Sequence, residues 1–479
     1  MKDFRVVVIG AGMAGLLAGI KLKAEGVDFT IYEKADRLGG TWRENTYPGL
    51  TCDVPSHHYT YSFERNPDWT RHLPPGAEIQ AYFERTCDRY DVREHIRFNT
   101  PITSAVWENQ GWTLSLADGS SDRADVVIAA TGVLHHPSLP NISGLESFDG
   151  ALFHTARWDH SVALTGRVGV VGMGSTGVQI ISALAGVSSQ LSHFVRNPQW
   201  IMPVENGYYS EEERAAFRAD PALLERYMDV VTYNQNVENY TLGITQPDSP
   251  GAQYFRQACF DNLESIDDPA LKEALRPDHE PMCKRLIFSP DYYEKIRHPQ
   301  ARLVRADIEH IEPAGIRTTD GELHELDVIA LATGFRADQF MRPMQIQGTD
   351  GADLDTLWVR RPVAYLAVSM PGFPNFFMLN GPNGPVGNYS LIDIAEHQWG
   401  YIAQLMARAR ETGAALCATR DAMEAFDAER VEAAKHTIWY TGGCQSWYLD
   451  ADGIPASWPW NYSRFVSEMK TPKWEHFGV

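Results

Sequence analysis

The chain has 479 residues, 44% of them hydrophobic and 22% charged, which is enough for two or three domains around large buried cores. A formal net charge of −20 argues against nucleic acid or an anionic membrane as partner, since either needs a clustered basic face, and it leaves ligand phosphates to backbone amides and a few placed cations. Six cysteines (Cys52, Cys87, Cys259, Cys283, Cys417 and Cys444) show neither Cys-x-x-Cys nor metal-ligand spacing, so reduced thiols, no metal and a cytoplasmic setting are expected.

An apolar run from Phe4 to Ile9 enters Gly10-Ala-Gly12-Met-Ala-Gly15 directly. A helix to about Glu25 and a strand from Phe29 to Glu33 complete a βαβ unit. Such a loop lets backbone amides approach a pyrophosphate at a helix N-terminus. Glu33 at the next strand tip would accept ribose hydroxyls and repel a 2′-phosphate, which suits the adenosine of FAD. Gly39-Gly40-Thr41-Trp42 then offers backbone that can lie against a flat ring and an indole face to pack on it. Tyr47-Pro48-Gly49 and Cys52-Asp53 follow.

The same grammar returns later. Val168 to Val171 leads into Gly172-Met-Gly174-Ser175-Thr176-Gly177, a helix, and a strand from His193 to Arg196. Here the strand tip is a cation. A guanidinium can pair with a 2′-phosphate, a contact of roughly 1.5–3 kcal/mol, or on the order of 10- to 150-fold preference for NADPH over NADH. Asp125 to Gly132 and Asp327 to Gly334 are apolar strands that both end in Ala-Thr-Gly, as expected where a strand turns beside a nucleotide. Val6 to Ile20 imitates a secretion signal and Val168 to Val187 a membrane span, but a glycine fingerprint interrupts each, so strand–loop–helix is the expected form.

Residues 206–283 are rich in Glu, Asp, Arg and Tyr, with helical spacing from Glu211 to Tyr227 and from Pro269 to Leu275; they read as a helical insertion. The expected fold is α/β, with two Rossmann-like dinucleotide-binding domains and this insertion. The first domain takes 1–143 and 340–479, the second 144–205 and 284–339, and the insertion 206–283.

Two stretches carry a family resemblance. Phe148-Asp-Gly150-Ala-Leu-Phe-His154-Thr-Ala-Arg-Trp158-Asp159 and Gly39 to Asp53 match, at every defined position, the two long signatures of the type I Baeyer–Villiger monooxygenases. The likeness extends to Gly443-Cys444-Gln-Ser-Trp447-Tyr448 near the C-terminus. The resemblance implies FAD and NADPH as cofactors, and O₂ and a small-molecule ketone as substrates. The ketone is converted to an ester or lactone through a C4a-peroxyflavin.

It also implies roles for residues. Arg285, in Lys284-Arg285 before Tyr292-Tyr293, carries the catalytic cation, with Asp53 as its partner beside the flavin; Lys284 joins Arg196 at the 2′-phosphate. Tyr59, Ile102 and Leu391 are expected at the flavin and Trp447 near the nicotinamide. Phe148, Gly150, His154 and Trp158 link the domains, with His154 in a hinge role rather than in chemistry. The Gly381-to-Leu391 loop aims a helix N-terminus at the flavin. Met173 and Asn197 depart from the family pattern at the second nucleotide loop. The alternative reading is a class B flavin monooxygenase oxygenating nitrogen or sulfur; an NADPH-dependent reductase is disfavoured by the lack of a close cysteine pair, and a substrate-free redox sensor is the remaining reading.

Overall fold

The computed structural model describes residues 4–385 and 389–478. Two five-stranded parallel sheets organise it. The first runs, edge to edge, Phe376–Met378, Val126–Ala129, Arg5–Ile9, Asp28–Tyr32 and Ile96–Arg97. The second runs Ala301–Val304, Gln190–Phe194, Arg167–Val171, Val328–Leu331 and Ala151–His154. In each, the strand entering a glycine fingerprint is central, with the following strand on one side and the Ala-Thr-Gly strand on the other: Val6 pairs with Phe29 and Val126, Val168 with Leu191 and Val328. The central strands are apolar without alternation because helices and loops cover both faces, and Val6, Val7 and Val8 are fully buried.

After Gly334 the chain returns to the first sheet system. Gln345–Gln347 pairs parallel with Ser104–Val106, and Phe376–Met378 adds the edge strand. The linker signature supplies the opposite kind of edge: Ala151–His154 pairs with Val328–Leu331 in the second sheet.

The strand expected from His193 to Arg196 is Gln190–Phe194, so Arg196 lies in the turn beyond it. The single helix expected from Glu211 to Tyr227 is two, Glu211–Ala219 and Pro221–Met228. Pro221 lacks the N–H needed to continue a helix but fits the first position of a new one, and Asp220 caps that start by accepting from the Ala222 amide. Val230–Thr245, Pro250–Glu264 and Pro269–Ala274 complete the insertion.

The expectation of reduced, unpaired cysteines is overturned for one pair: Cys283 and Cys444 form a disulfide with Cα atoms 6.1 Å apart, while Cys52, Cys87, Cys259 and Cys417 are free and buried. Motif spacing missed it because the partners are separated by 161 residues and meet only in three dimensions. Among the described residues, no helix is long and apolar enough to cross a membrane.

Candidate active site

The two glycine loops face one cavity of about 800 Å³. Its wall includes Gly10, Gly12, Glu33, Gly40, Thr41, Trp42, Asp53, Tyr59, Ile102 and Leu391 from the first half, and Gly174, Ser175, Thr176, Arg285 and Trp447 from the second half and the C-terminal region. Gly132 and Gly334, the ends of the two Ala-Thr-Gly strands, also reach it, both with positive φ.

The glycines divide their work. A Cβ on Gly15 would stand 1.8 Å from the Gly10 carbonyl oxygen, and one on Gly177 2.0 Å from that of Gly172. These two pack helix against strand and do not line the cavity. Gly174, by contrast, has nothing within 4 Å of its would-be Cβ, so the helix start at Ser175–Leu184 is left bare toward the cavity. That is the space and the donor set a pyrophosphate requires. Neither fingerprint helix has a side-chain cap, which leaves its first amides to a ligand.

Glu33 is buried and already engaged: Oε2 accepts from the Ala11 amide at 2.8 Å, and Oε1 from the Ala35 amide and Arg43 Nη1, both at 3.0 Å. It therefore staples the first glycine loop as well as presenting charge to the cavity. Arg43 continues through Glu44 to Arg157, next to Trp158 of the linker signature, so an unbroken ion chain joins the Glu33 carboxylate to the linker.

A second bridge joins the halves. Tyr47 donates to Gln179 Oε1 at 3.0 Å and receives the Thr176 hydroxyl at 3.3 Å; the Gln179 amide reaches the Thr51 carbonyl at 3.1 Å. Gly49 is required here, because a Cβ would come within 2.6 Å of the Gln179 carbonyl oxygen at a φ of +81°. The Tyr-Pro-Gly stretch is thus the surface on which the second fingerprint helix rests.

Arg285 and Asp53 meet in the cavity wall. Arg285 Nη2 and Nε donate to one carboxylate oxygen, Oδ2, at 2.6 and 3.1 Å. Burial opposes the guanidinium's charge and the Asp53 carboxylate favours it, with a net displacement further upward, so Arg285 is a permanent cation. Both side chains keep a face toward the cavity, at 30% and 21% exposure. Beside them Cys52 is buried and its thiol is pushed up, chiefly by desolvation, so it stays neutral. Trp42 Nε1 donates to the Tyr59 hydroxyl at 3.0 Å, with the rings edge to face.

Lys284 and Arg196 lie outside the cavity wall but near each other: burial, and then the charge of Arg196, lower the Lys284 ammonium, against the opposing pull of Asp278.

His154 is buried at the crossing of the two interdomain segments. Its Nδ1 accepts from the Ala156 amide at 3.1 Å, which fixes Nε2 as the donor, and Nε2 donates to the Gly334 carbonyl at 3.0 Å. Gly150 is needed because a Cβ would meet the Asp327 carbonyl oxygen at 2.4 Å, with the Phe148 ring also close. Trp158 packs edge to face on Phe153. None of the four linker-signature residues touches the cavity.

The helical insertion does not line the cavity: no residue of 206–283 is in its wall. The insertion backs the wall instead: Tyr233 stacks on His58 with centroids 3.8 Å apart, and the buried Tyr240 senses Arg285 and Asp53 electrostatically. Of the glycine–proline loop expected at the flavin, residues 386–388 lie outside the described residues; Tyr389 and Leu391 line the cavity. Two features gave no sequence signal. His193, fully buried, donates from Nε2 to the Gly172 carbonyl and accepts the Tyr292 hydroxyl at Nδ1. The other is the Arg43–Glu44–Arg157 chain, whose last member is too far from the first two in sequence to suggest pairing. Among the described residues no group of three or more His, Cys, Asp or Glu is arranged to hold a metal.

Comparison with known proteins agrees with this architecture. Residues 8–73 match the family model for an NAD(P)-binding Rossmann-like domain. An uncharacterised monooxygenase of Mycobacterium tuberculosis is 45% identical over 457 residues, covering 95% of this chain and 92% of its own length. A Baeyer–Villiger monooxygenase of Streptomyces coelicolor is 36% identical over 479 residues, covering 98% and 91%. The crystal structure of cyclohexanone monooxygenase from Rhodococcus sp. Phi1 bound to NADP⁺ superposes with a TM-score of 0.84 at 31% identity, covering 98% of this chain and 97% of that one. With near-full-length identity above the level at which family is ambiguous and both glycine loops opening on one cavity, the chain belongs to the type I Baeyer–Villiger monooxygenases, a family of flavin-dependent enzymes.

Proposed function

We propose that this enzyme uses NADPH and O₂ to convert a ketone into an ester or lactone, with water and NADP⁺ as the other products and FAD as its prosthetic group. The observation that carries the proposal is the Arg285–Asp53 pair set into the wall of a cavity shared by both nucleotide loops. The relatives' names point the same way: one solved relative acts on cyclohexanone and holds NADP⁺.

The residues fit the two cofactors. The bare amides after Gly10–Gly12 and at Gly174–Ser175 suit two pyrophosphates, and the abutting backbones of Gly12 and Gly40 leave a wall without side chains. FAD, when bound, supplies the redox chemistry, taking two electrons from NADPH and passing them to O₂. Glu33 sits where the adenosine ribose of FAD would lie and disfavours a 2′-phosphate there. Arg196 and Lys284 select the phosphorylated nicotinamide cofactor at the other site.

Arg285 faces the space between them. A fixed guanidinium lowers the energy of negative charge on the activated oxygen and on the ketone oxygen as the carbonyl is attacked. Asp53 holds that guanidinium by two of its nitrogens, so no reorganisation is needed when charge develops. Trp42 and Tyr59, bonded to each other, keep the adjoining wall rigid and dry. His154, tied to Gly334, lets the two crossover segments move as one.

The test is product analysis with purified holoenzyme, NADPH and O₂, against linear, cyclic and aryl ketones, with a thioether and a tertiary amine as competitors at pH 7 and pH 9. Ester or lactone formed in proportion to NADPH supports the proposal. Sulfoxide or N-oxide as the main product, with no ester from any ketone, would overturn it.

A further inference from the structure

The two halves of the active-site wall are tied by a bond that the mechanism above does not use. Cys283 immediately precedes Lys284-Arg285, and Cys444 stands three residues before Trp447. Their disulfide therefore joins the segment that carries the catalytic guanidinium to the segment that carries the exposed indole at the cavity mouth. The surrounding contacts make the join close. Glu280 N donates to the Gly442 carbonyl at 3.1 Å, and a Cβ on Gly442 would meet both Cβ and Sγ of Cys283 at 2.8 Å.

Beyond that bond the second segment is held through Tyr448, which is buried, stacks on Trp439 with centroids 5.0 Å apart and packs on Trp447 at 4.3 Å. From Gly443 to Trp447, hydrogen bonds among the described residues are local: Ser446 Oγ accepts from the Tyr448 amide and its carbonyl from the Leu449 amide. Trp447 is 45% exposed, although it lines the cavity. Its ring packs only on the neighbouring Tyr448 among the described rings, and the disulfide is the covalent anchor of the backbone that presents it.

We propose that Cys283–Cys444 is a thiol-exchange site. Its oxidised form holds Trp447 across from Arg285, and reduction by a low-molecular-weight thiol releases the Trp447 segment and weakens productive NADPH binding. The step is ordinary exchange. A thiolate RS⁻ attacks one protein sulfur to form a mixed disulfide and free the other as a thiolate. A second RS⁻ then displaces the first protein sulfur, so two RSH become RSSR and both cysteines take up protons. Both cysteines are buried, and Cys444, at 8% exposure against 0% for Cys283, is the less deeply buried residue of the two. A disulfide that can open beside a functional residue is the kind found in redox-responsive proteins.

The inference rests on the proposed use of NADPH but not on the identity of the oxygen acceptor, so its test omits the ketone. The holoenzyme is prepared after dithiothreitol or after oxidised glutathione, and thiols are counted in denaturant. The oxidised form should show four and the reduced form six. NADPH consumption is then followed in air. Reduction should raise KM for NADPH by about threefold or more, equivalent to the competent population falling to about a third, and oxidised glutathione should reverse it. Cys444→Ser and Cys283→Ser should each sit at the reduced value and ignore dithiothreitol; because both arms use wild-type protein as well, a variant that fails to fold leaves the reduction experiment intact. Six thiols after oxidised glutathione, or equal KM in the two forms, would overturn the proposal. Failure of ester formation with KM still redox-dependent would overturn the ketone reading alone.

Discussion

Replacing Arg285 with alanine removes both bonds to Asp53 Oδ2, at 2.6 and 3.1 Å, and the cation they orient. Loss of one preorganised donor at a developing negative charge costs about 2.7–4 kcal/mol, or roughly 10²–10³-fold in kcat. The structural penalty is smaller than the roughly 3–5 kcal/mol of breaking a fully buried pair. The side chains keep 30% and 21% exposure, so the Asp53 carboxylate left behind can be hydrated through the cavity. Arg285→Ala should therefore fold and retain FAD, with flavin reduction by NADPH under anaerobic conditions within about tenfold of wild type, while ester yield per NADPH falls on the order of a hundredfold or more. The assay pairs anaerobic stopped-flow reduction with chromatographic ester quantification under air. Asp53→Asn, which keeps an acceptor but removes the charge, should fall between the two. If Arg285→Ala kept ester yield within threefold of wild type, a guanidinium at this place would not be stabilising the reaction's negative charge.

Other expectations follow from the same geometry. Arg196→Ala should reduce the kcat/KM ratio of NADPH over NADH by roughly 10- to 150-fold, with the NADH value nearly unchanged; a parallel loss for both would mean that Arg196 does not read the 2′-phosphate. His193→Leu strips the Gly172 carbonyl and the Tyr292 hydroxyl of their partners, at roughly 1–3 kcal/mol for each buried group, and should lower Tm while raising KM for NADPH; an unchanged melt would show that the two groups find water. Burial holds the imidazoles of His57, His58, His135 and His193 down at about 4, against 6.5 in the unfolded chain. The fold thus binds fewer protons than the unfolded chain between those values, so stability is complete above pH 6.5 and declines as pH falls toward 4. Calorimetric Tm should drop between pH 7 and pH 5, and a flat profile would contradict the assignment of four neutral, desolvated rings.

What the sequence made legible was local. Strand–glycine loop–helix units announce themselves because one short peptide must both turn and leave its amides bare, and the carboxylate or guanidinium at the next strand tip is fixed by the register of the same unit. Glu33 and Arg196 were found that way, although Arg196 stands in the turn beyond its strand rather than on it. The helix break at Asp220-Pro221 was also local and readable, but charge periodicity running across it masked the proline. Pairings between distant segments were out of reach. Nothing in the spacing of Cys283 and Cys444, or of Glu44 and Arg157, distinguishes them from residues that never meet. Arg285 and Asp53 came from family resemblance, because a Lys-Arg pair on its own reads as surface.

The distant pairings explain why the linker signature is long although it stands off the cavity. The linker signature does not line the cavity, yet Arg157 within it ends an ion chain that begins at Glu33, on the wall of the first nucleotide site. The Tyr-Pro-Gly stretch belongs to the first half by sequence but seats the Ser175–Leu184 helix of the second through Tyr47, Gly49 and Thr51. His154 ties the outgoing crossover to the returning one at Gly334. The first two of these contacts would have to slide or break if one sheet rotated against the other, while His154 and Gly334 follow neighbouring strands of the second sheet, so two separate bridges set the relative placement of the two nucleotide sites. A substitution at Arg157, which stands outside the cavity wall, should on this argument alter how hydride delivery and oxygen transfer are timed without weakening either cofactor's own site. Separate measurement of cofactor affinity and of NADPH consumed per product formed distinguishes that from direct loss of binding: coupling should fall while both affinities hold, and a fall in affinity alone would place Arg157 in a binding site itself.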